Sequence, residues 1–406
     1  MSGLISRFVF LVVAAAMCGA TAFDSPPSTD AAPQLESPPP VTVATTTSTT
    51  MPPTVATAPS TTSTVPAGAE AEAPPIEVPD QLEATVVFGG DVLIHSTLRS
   101  HAALGGNVYD FRPMFEAIRP ALLTADLAIC HLEVPLTSSN TDLSTYPRFN
   151  APHEVATAIA YAGFDGCSTA SNHSADEGAA GMIDTLDILD RAGLSHAGTA
   201  RSPEEAGSAT FYQTGGPTVA HIAGTYWLNG LSTPEGQDWM AQRLDVDQIL
   251  GMADSAREAG ADLVVVSVHC CTEYRSEPTP EQVEIFDRLI RSPSVDLVVG
   301  HHSHVVGPID TVDGEFLVYG LGNLLSGQLH RTDSREAYLA FVRAEWANGR
   351  WAFTAVEAMP VFVESGSYQI VPVGPDTASY ARTMAILNSR DVTVAQRTVD
   401  GAAESG

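Results

Sequence analysis

The segment Asp262-Leu263-Val264-Val265-Val266-Ser267-Val268 constrains the fold more than any other stretch of the chain. Read as a strand, this valine-rich run carries apolar side chains on both faces, so both faces must be covered. Helical patterns flank it: Asp245–Ala259 before, and Pro280–Arg291 after, the latter with Pro280 at its start and Thr279 as a cap. A doubly buried strand between two helices indicates a parallel sheet inside a layered α/β body.

The same alternation extends in both directions. Thr85–Phe88 reads as a buried strand with Gly89-Gly90 as a tight exit, followed by helical spacing over Phe111–Leu123 and an apolar run over Asp126–Cys130. A helix over His153–Ala162 stops at Gly163, Phe164–Thr169 is a third strand, and Gly178–Ala192 is an amphipathic helix closed by Gly193. Asp296–Val299 is a further buried strand. Beyond it the pattern turns to β: Val306–Thr311, Phe316–Tyr319, Ala337–Ala344, Trp351–Ala358 and Ile370–Val373. This β-rich last third predicts a second sheet packed on the first, giving an α/β fold as a four-layer α/β/β/α sandwich. A short helix over Thr377–Leu387 and a frayed end over Val399–Gly406 complete the reading.

Polar residues fall at strand ends. Asp91 and His95 follow the first strand, and His131 and Glu133 follow Cys130. Asn172 and His173 follow the third strand, His269 follows the valine run, and His301, His302 and His304 follow Asp296–Val299. Open α/β sheets place ligands at the carboxyl edge of their strands. Carboxylate, imidazole and amide oxygen together make a mixed N/O donor set suited to Zn, Mn or Fe. A bridging carboxylate with two groups of imidazoles would serve two metals about 3.5–4 Å apart, which can activate water for in-line displacement at phosphorus. His101, His153, His196, His221 and His330 lack this setting and read as surface or packing residues. Cys270 and Cys271 beside His269 are softer than the rest of the set.

The first 22 residues read as a secretory signal: Arg7, the apolar run Phe8–Met17, and Ala20-Thr21-Ala22 before Phe23. An uncleaved anchor, or lipidation at Cys18, is the alternative. Residues 23–80 are a Pro/Thr-rich spacer with too few large apolar groups to form a core. The folded domain then spans 81–375, with a C-terminal helix and tail over 376–406. The expected location is extracellular or in the cell envelope. Export permits disulfides. Cys130–Cys167 can pair if their strands are adjacent, buried free thiols being the alternative, and a bridge between the neighbours Cys270 and Cys271 would be strained. The chain has 19 basic and 48 acidic residues, a net charge of −29, and every basic residue is Arg. Such acidity argues against nucleic acid as a partner, since phosphate neutralisation needs basic surface.

Several segments, in order, resemble the poly-γ-glutamate capsule biosynthesis protein family (CapA), within the calcineurin-like metallophosphoesterase superfamily. They are Gly90-Asp91-Val92-Leu93, Leu132-Glu133-Val134-Pro135-Leu136, Asn172-His173 with Asp176 and Gly178, His269 with Glu273-Tyr274, Gly300-His301-His302-Ser303-His304, and Tyr319-Gly320-Leu321-Gly322-Asn323. The resemblance covers about residues 84–345 and implies a sandwich of metallophosphoesterase type. It implies that Asp91, Glu133, Asn172, His269, His302 and His304 hold two divalent ions, Glu133 standing at the bridging position. It implies catalytic roles for His173 and Asp176. Two departures stand out. The superfamily usually has Asp-x-His at the first motif, and here the nearest imidazole is His95. The family often has Asn where His131 stands. His95, His131 and His301 are therefore additional candidates.

Two functions follow. One is an exported metal-dependent, phosphoesterase-like hydrolase acting on a phosphoester or polymer. The other is a non-catalytic metal- or polymer-binding component of a membrane capsule-synthesis complex. A protein of charge −29 repels a polyanion at long range, an effect that salt screens beyond about 8–10 Å.

Overall fold

The computed structural model describes residues 81–399 and 403–404; the signal and spacer readings for 1–80 lie outside the described residues. Two sheets face each other. The larger is built around the parallel strands Glu83–Leu93, Leu127–Leu132, Gly166–Ser168 and Ser195–Ala197. The long hairpin Glu336–Ala347 and Arg350–Val363 adds to it antiparallel, beside Glu83–Leu93. The smaller sheet has Leu263–His269 at its centre, between the parallel neighbours Thr218–Thr225 and Leu297–His301.

The alternation of side chains along each strand sets the layers. Val265 and Leu263 face Val86, Phe88, Leu127 and Ile129 across an apolar core between the sheets. Val264, Val266 and Val298 face the helices Val246–Glu258 and Pro280–Ile290 on one outer side. Val87, Ala128 and Cys130 face Glu154–Ala162 and Gly178–Ala192 on the other. Three cores between four layers make the α/β/β/α sandwich. Among the described residues no helix is long and apolar enough to cross a membrane.

The helix ends follow their sequence signals. Gly163 and Gly193 close their helices with φ of 106° and 79°, a conformation that side chains other than glycine's resist. Thr279 and Thr377 accept hydrogen bonds from the amides of Gln282 and Tyr380.

Three expectations are corrected. The helical stretch Phe111–Leu123 is two short helices, Arg112–Phe115 and Arg119–Leu122, each opened by a proline. Pro120 lacks an amide hydrogen and cannot continue a helix from Glu116. The last third does not form the second sheet: its two longest strands join the first sheet, while Ile309–Val312 and Glu315–Val318 join the second. The strand Thr218–Thr225, whose Ala and Gly residues give little β signal, lies one place in from the edge of the second sheet. At the C-terminal end, the backbone of Ala403–Glu404 pairs with Ala395–Arg397. Cys130 and Cys167 are in-register partners on adjacent strands and are disulfide-bonded. Cys270 and Cys271 are also bonded to each other.

Candidate metal centre

Gly89 and Gly90 do not end the first strand; they bend it. Phe88 pairs with Ile129 and Asp91 with His131, so one extra residue is inserted in the first strand. This bulge reverses the alternation. Unbroken pairing would have sent Asp91 to the helix-covered face with Val87; instead it shares the inter-sheet face with His131. Only glycine fits at 90, where a Cβ would lie 2.0 Å from the carbonyl oxygen of Gly322, which also accepts the Asp91 amide hydrogen.

The inter-sheet face of three strands begins apolar and ends on an imidazole at the carboxyl end. His131 follows Leu127 and Ile129 on one sheet; His269 and His301 follow Val265 and Val299 on the other. A loop after His301 supplies two more imidazoles. His302 and His304 hold left-handed backbone, with φ of 81° and 56°, and both are buried. Non-glycine residues hold such angles only where the surroundings enforce them. Here the Ser303 carbonyl accepts the Tyr274 amide at 2.7 Å, and the Ser303 hydroxyl donates to the Val305 carbonyl at 2.8 Å.

Three overlapping groups of donor atoms converge, each within 4.8 Å: Asp91, Glu133 and His304; Glu133, His269 and His302; and Glu273, His302 and His304. Asn172 joins through its Oδ1, 3.0 Å from Nε2 of His269. His131 and His301 lie alongside. Nε2 of His131 is 2.9 Å from Nδ1 of His269, its Nδ1 is 2.7 Å from the Ser168 hydroxyl, and its ring stacks on His301 at 4.2 Å. His95 is in none of the three groups. Its Nδ1 accepts the Gly327 amide hydrogen at 3.2 Å. Glu273, quoted in sequence only as part of a motif, enters one group; its spacing from His269 carried no ligand signal because a loop, not a strand, brings it back.

The electrostatics fit a cation. Asp91 Oδ1, both Glu133 carboxylate oxygens and Nδ1 of His302 are buried without a hydrogen-bond partner. Buried carboxylate oxygens without a hydrogen bond are costly, and a divalent ion would satisfy them. Burial pushes the Glu133 carboxyl up to about 7. Burial works against the charged form of Asp91 too, but His301 and His304, each 3.3 Å away, hold it well below the usual carboxylate range. Burial alone would lower His304; Glu133 and Asp91 raise it to about 9. Burial and the neighbouring imidazoles push His131 and His269 well below their ordinary value, and His302 down to about 3, leaving them neutral and able to ligate. Because the Asn172 carbonyl only accepts, His269 carries its proton on Nε2 in the metal-free chain; a cation taken up there replaces that proton.

His173 stands at the mouth. Its Nδ1 is 2.7 Å from Oδ2 of Asp176, which also accepts the Phe149 amide hydrogen at 2.7 Å, and the Phe149 ring meets it edge-on. This leaves Nε2 as the free ring atom.

The model for the family described as "Bacterial capsule synthesis protein PGA_cap" matches residues 85–328. The chain is 26% identical over 263 residues to "Capsule biosynthesis protein CapA" of Bacillus anthracis, covering 63% of this chain and 62% of that protein's length. It is 25% identical over 313 residues to "PGA biosynthesis protein CapA" of Bacillus subtilis (strain 168), covering 73% of this chain and 78% of that one. Among solved structures, the calcineurin-like phosphoesterase YfkN from Bacillus subtilis aligns with 75% of this chain and 96% of its own, at a TM-score of 0.46 and 11% identity. The match to the family model spans more than half of the chain, from the first strand of the larger sheet past the last of the site histidines, and the chain belongs to the bacterial capsule synthesis protein family PGA_cap.

Proposed function

We propose that this protein is an exported metal-dependent hydrolase, phosphoesterase-like in its chemistry, that works in capsule or poly-γ-glutamate synthesis. Asp91, Glu133, Asn172, His269, His302 and His304 hold two divalent ions of Mn, Zn or Fe. The observation that carries the reading is the set of three donor groups, sharing Glu133, His302 and His304, around buried carboxylate oxygens that accept no hydrogen bond. The Cys130–Cys167 bridge supports export, because such bonds persist in oxidising compartments.

When bound, the ions supply Lewis acidity and lower the pKa of water. The chain's own residues do the rest. Asp176 fixes the orientation of His173 through Nδ1. His173 then offers Nε2 to the leaving group as a proton donor. The buried walls formed by His131, His301 and Phe149 exclude bulk water from the inner side.

A second reading has support in the capsule wording of the Bacillus anthracis relative. In it the centre binds metal and a polymer end without turnover, as part of a membrane-bound synthesis complex.

Elemental analysis of the purified protein, beside Asp91→Ala and His302→Ala, tests the site. About two equivalents of metal in wild type, lost in both variants together with phosphoester turnover, is the expected result. Turnover that survives both substitutions would show that the assigned site is wrong. Two bound metals without turnover on any phosphoester or γ-glutamyl polymer would favour the second.

A further inference from the structure

Two cavities open beside the centre. One, of about 330 Å3, runs past His95, Tyr274, Gln328 and His330, and is bordered by His304. The other, of about 400 Å3, runs past Arg148, Trp227, Asn229 and Leu231, and is bordered by Asn172. They share Tyr146, His173 and Glu273. Each alone is near the small end of ligand pockets, roughly 300–1,000 Å3. A molecule reaching only the metals and one cavity would leave the other unused.

The lining has a chemical direction. Tyr146 and Trp227 are exposed aromatic rims, Tyr146 being 74% exposed and Trp227 48%. Such faces pack against apolar stretches of a ligand while their polar tips stay wet. Arg148 is exposed and forms no hydrogen bond or ion pair with another described residue. Its charge is felt by Glu177, but the two are not paired. Arg99, Arg191, Arg275 and Arg350 also lack a side-chain partner among the described residues, but of these arginines Arg148 is the one that lines a cavity at the centre. Arg331, near the other cavity, is by contrast committed: it pairs with Asp333 and lies 4.9 Å over the Tyr274 ring.

We propose that the two cavities form one cleft that takes an unbranched chain internally, with units held on both sides of the metal centre, and that Arg148 binds an anionic group of that chain on the Trp227 side. The inference rests on the metal-centre reading for the position between the cavities. A free guanidinium gives a planar, bidentate partner for a carboxylate or phosphate. Both cavities carry Glu273, but the other one offers imidazole, amide and phenol in place of a guanidinium, so the chain is held asymmetrically and its direction is fixed.

Calorimetric titration of the full protein at physiological salt tests this, with linear γ-glutamate oligomers of increasing length as the anionic probe and γ-linked isoglutamine oligomers of matched length, their α-carboxyls amidated, as the neutral one. Affinity for both should rise at least tenfold as the oligomer grows long enough to enter the second cavity, then level off. Arg148→Gln should weaken the long anionic oligomers about tenfold and leave the neutral series unchanged, with Arg148→Lys in between. Affinity independent of length, an unchanged anionic series in Arg148→Gln, or no binding of either series would overturn the proposal. Metal content is read on the same samples. Two metals with a flat length profile sink this inference alone, whereas a metal-free wild type that keeps its length profile sinks the hydrolase reading and leaves the cleft.

Discussion

Nε2 of His131 lies 2.9 Å from Nδ1 of His269, and the two imidazoles belong to strands of different sheets. The centre is thus a seam. Asp91, Glu133 and Asn172 come from the larger sheet and its loops, while His269, His302 and His304 come from the smaller. Glu273, His302 and His304 all follow strands of the smaller sheet, but the two donor groups that include Glu133 draw on both sheets, so metal binding there reports on the packing of the two.

In the metal-free protein, stability should peak near neutral pH. His95, His131, His221, His269 and His302 all have folded values lowered by burial from 6.5. Below pH 6.5 the unfolded chain binds more protons at these sites, so stability falls as pH falls. Glu133, raised from 4.5 to about 7, opposes this with one proton. His304 is raised from 6.5 to about 9, so its contribution is full below 6.5 and is lost between 6.5 and 9. Denaturant melts with chelator at pH 5, 7 and 9 should give the highest midpoint at 7. A midpoint still climbing at pH 9 would contradict the assignment of His304.

Gly90→Ala should both destabilise the fold and empty the site. The new methyl would meet the Gly322 carbonyl oxygen at 2.0 Å, and backbone cannot step aside as a side chain can. A loss of about 3 kcal/mol is expected, the upper end of overpacking costs. Thermal melts and metal content check it, and an unperturbed variant with full metal would mean the bulge does not aim Asp91.

If the centre hydrolyses, His173→Ala should lower kcat by about 10²–10⁴-fold while metal content is unchanged. The loss should shrink for substrates with acidic leaving groups, which need no proton. Asp176→Asn should cost less, since Asp176 acts through His173 and the Phe149 amide still anchors it. Equal sensitivity for good and poor leaving groups would assign His173 to binding rather than proton donation.

The Cys130–Cys167 bridge ties adjacent strands across a sequence separation of 37. The double variant Cys130→Ala/Cys167→Ala should lose about 2–4 kcal/mol, because the cross-link removes freedom from the unfolded chain. Urea midpoints under oxidising conditions measure it; a midpoint equal to wild type would show that the bridge contributes nothing to stability.

Much of this was legible in sequence because local rules carry it. Valine runs such as Leu263–Val268 need covering on two sides, Gly163 and Gly193 end helices by left-handed backbone, and polar residues just past buried strands mark a ligand edge. Pro120 was an available signal that should have split Phe111–Leu123. The hairpin Glu336–Val363 was readable as two strands but not as a member of the first sheet, because alternation names a strand's faces and not its neighbour.

The sequence by itself determined the layered α/β class, the strand ends that bear the donors, and the residue types that suit a hard or borderline metal. Those properties depend on side-chain chemistry and a period of two, both written locally. Only the tertiary structure decided that the Gly89-Gly90 bulge turns Asp91 toward His131, that His302 and His304 reach inward from left-handed backbone, and that Glu273 joins them while His95 stays with the Gly327 amide. Those outcomes depend on register and on loops held by distant backbone, such as Gly322 against Gly90 and Ser303 against Tyr274, where the deciding contact lies tens to hundreds of residues away.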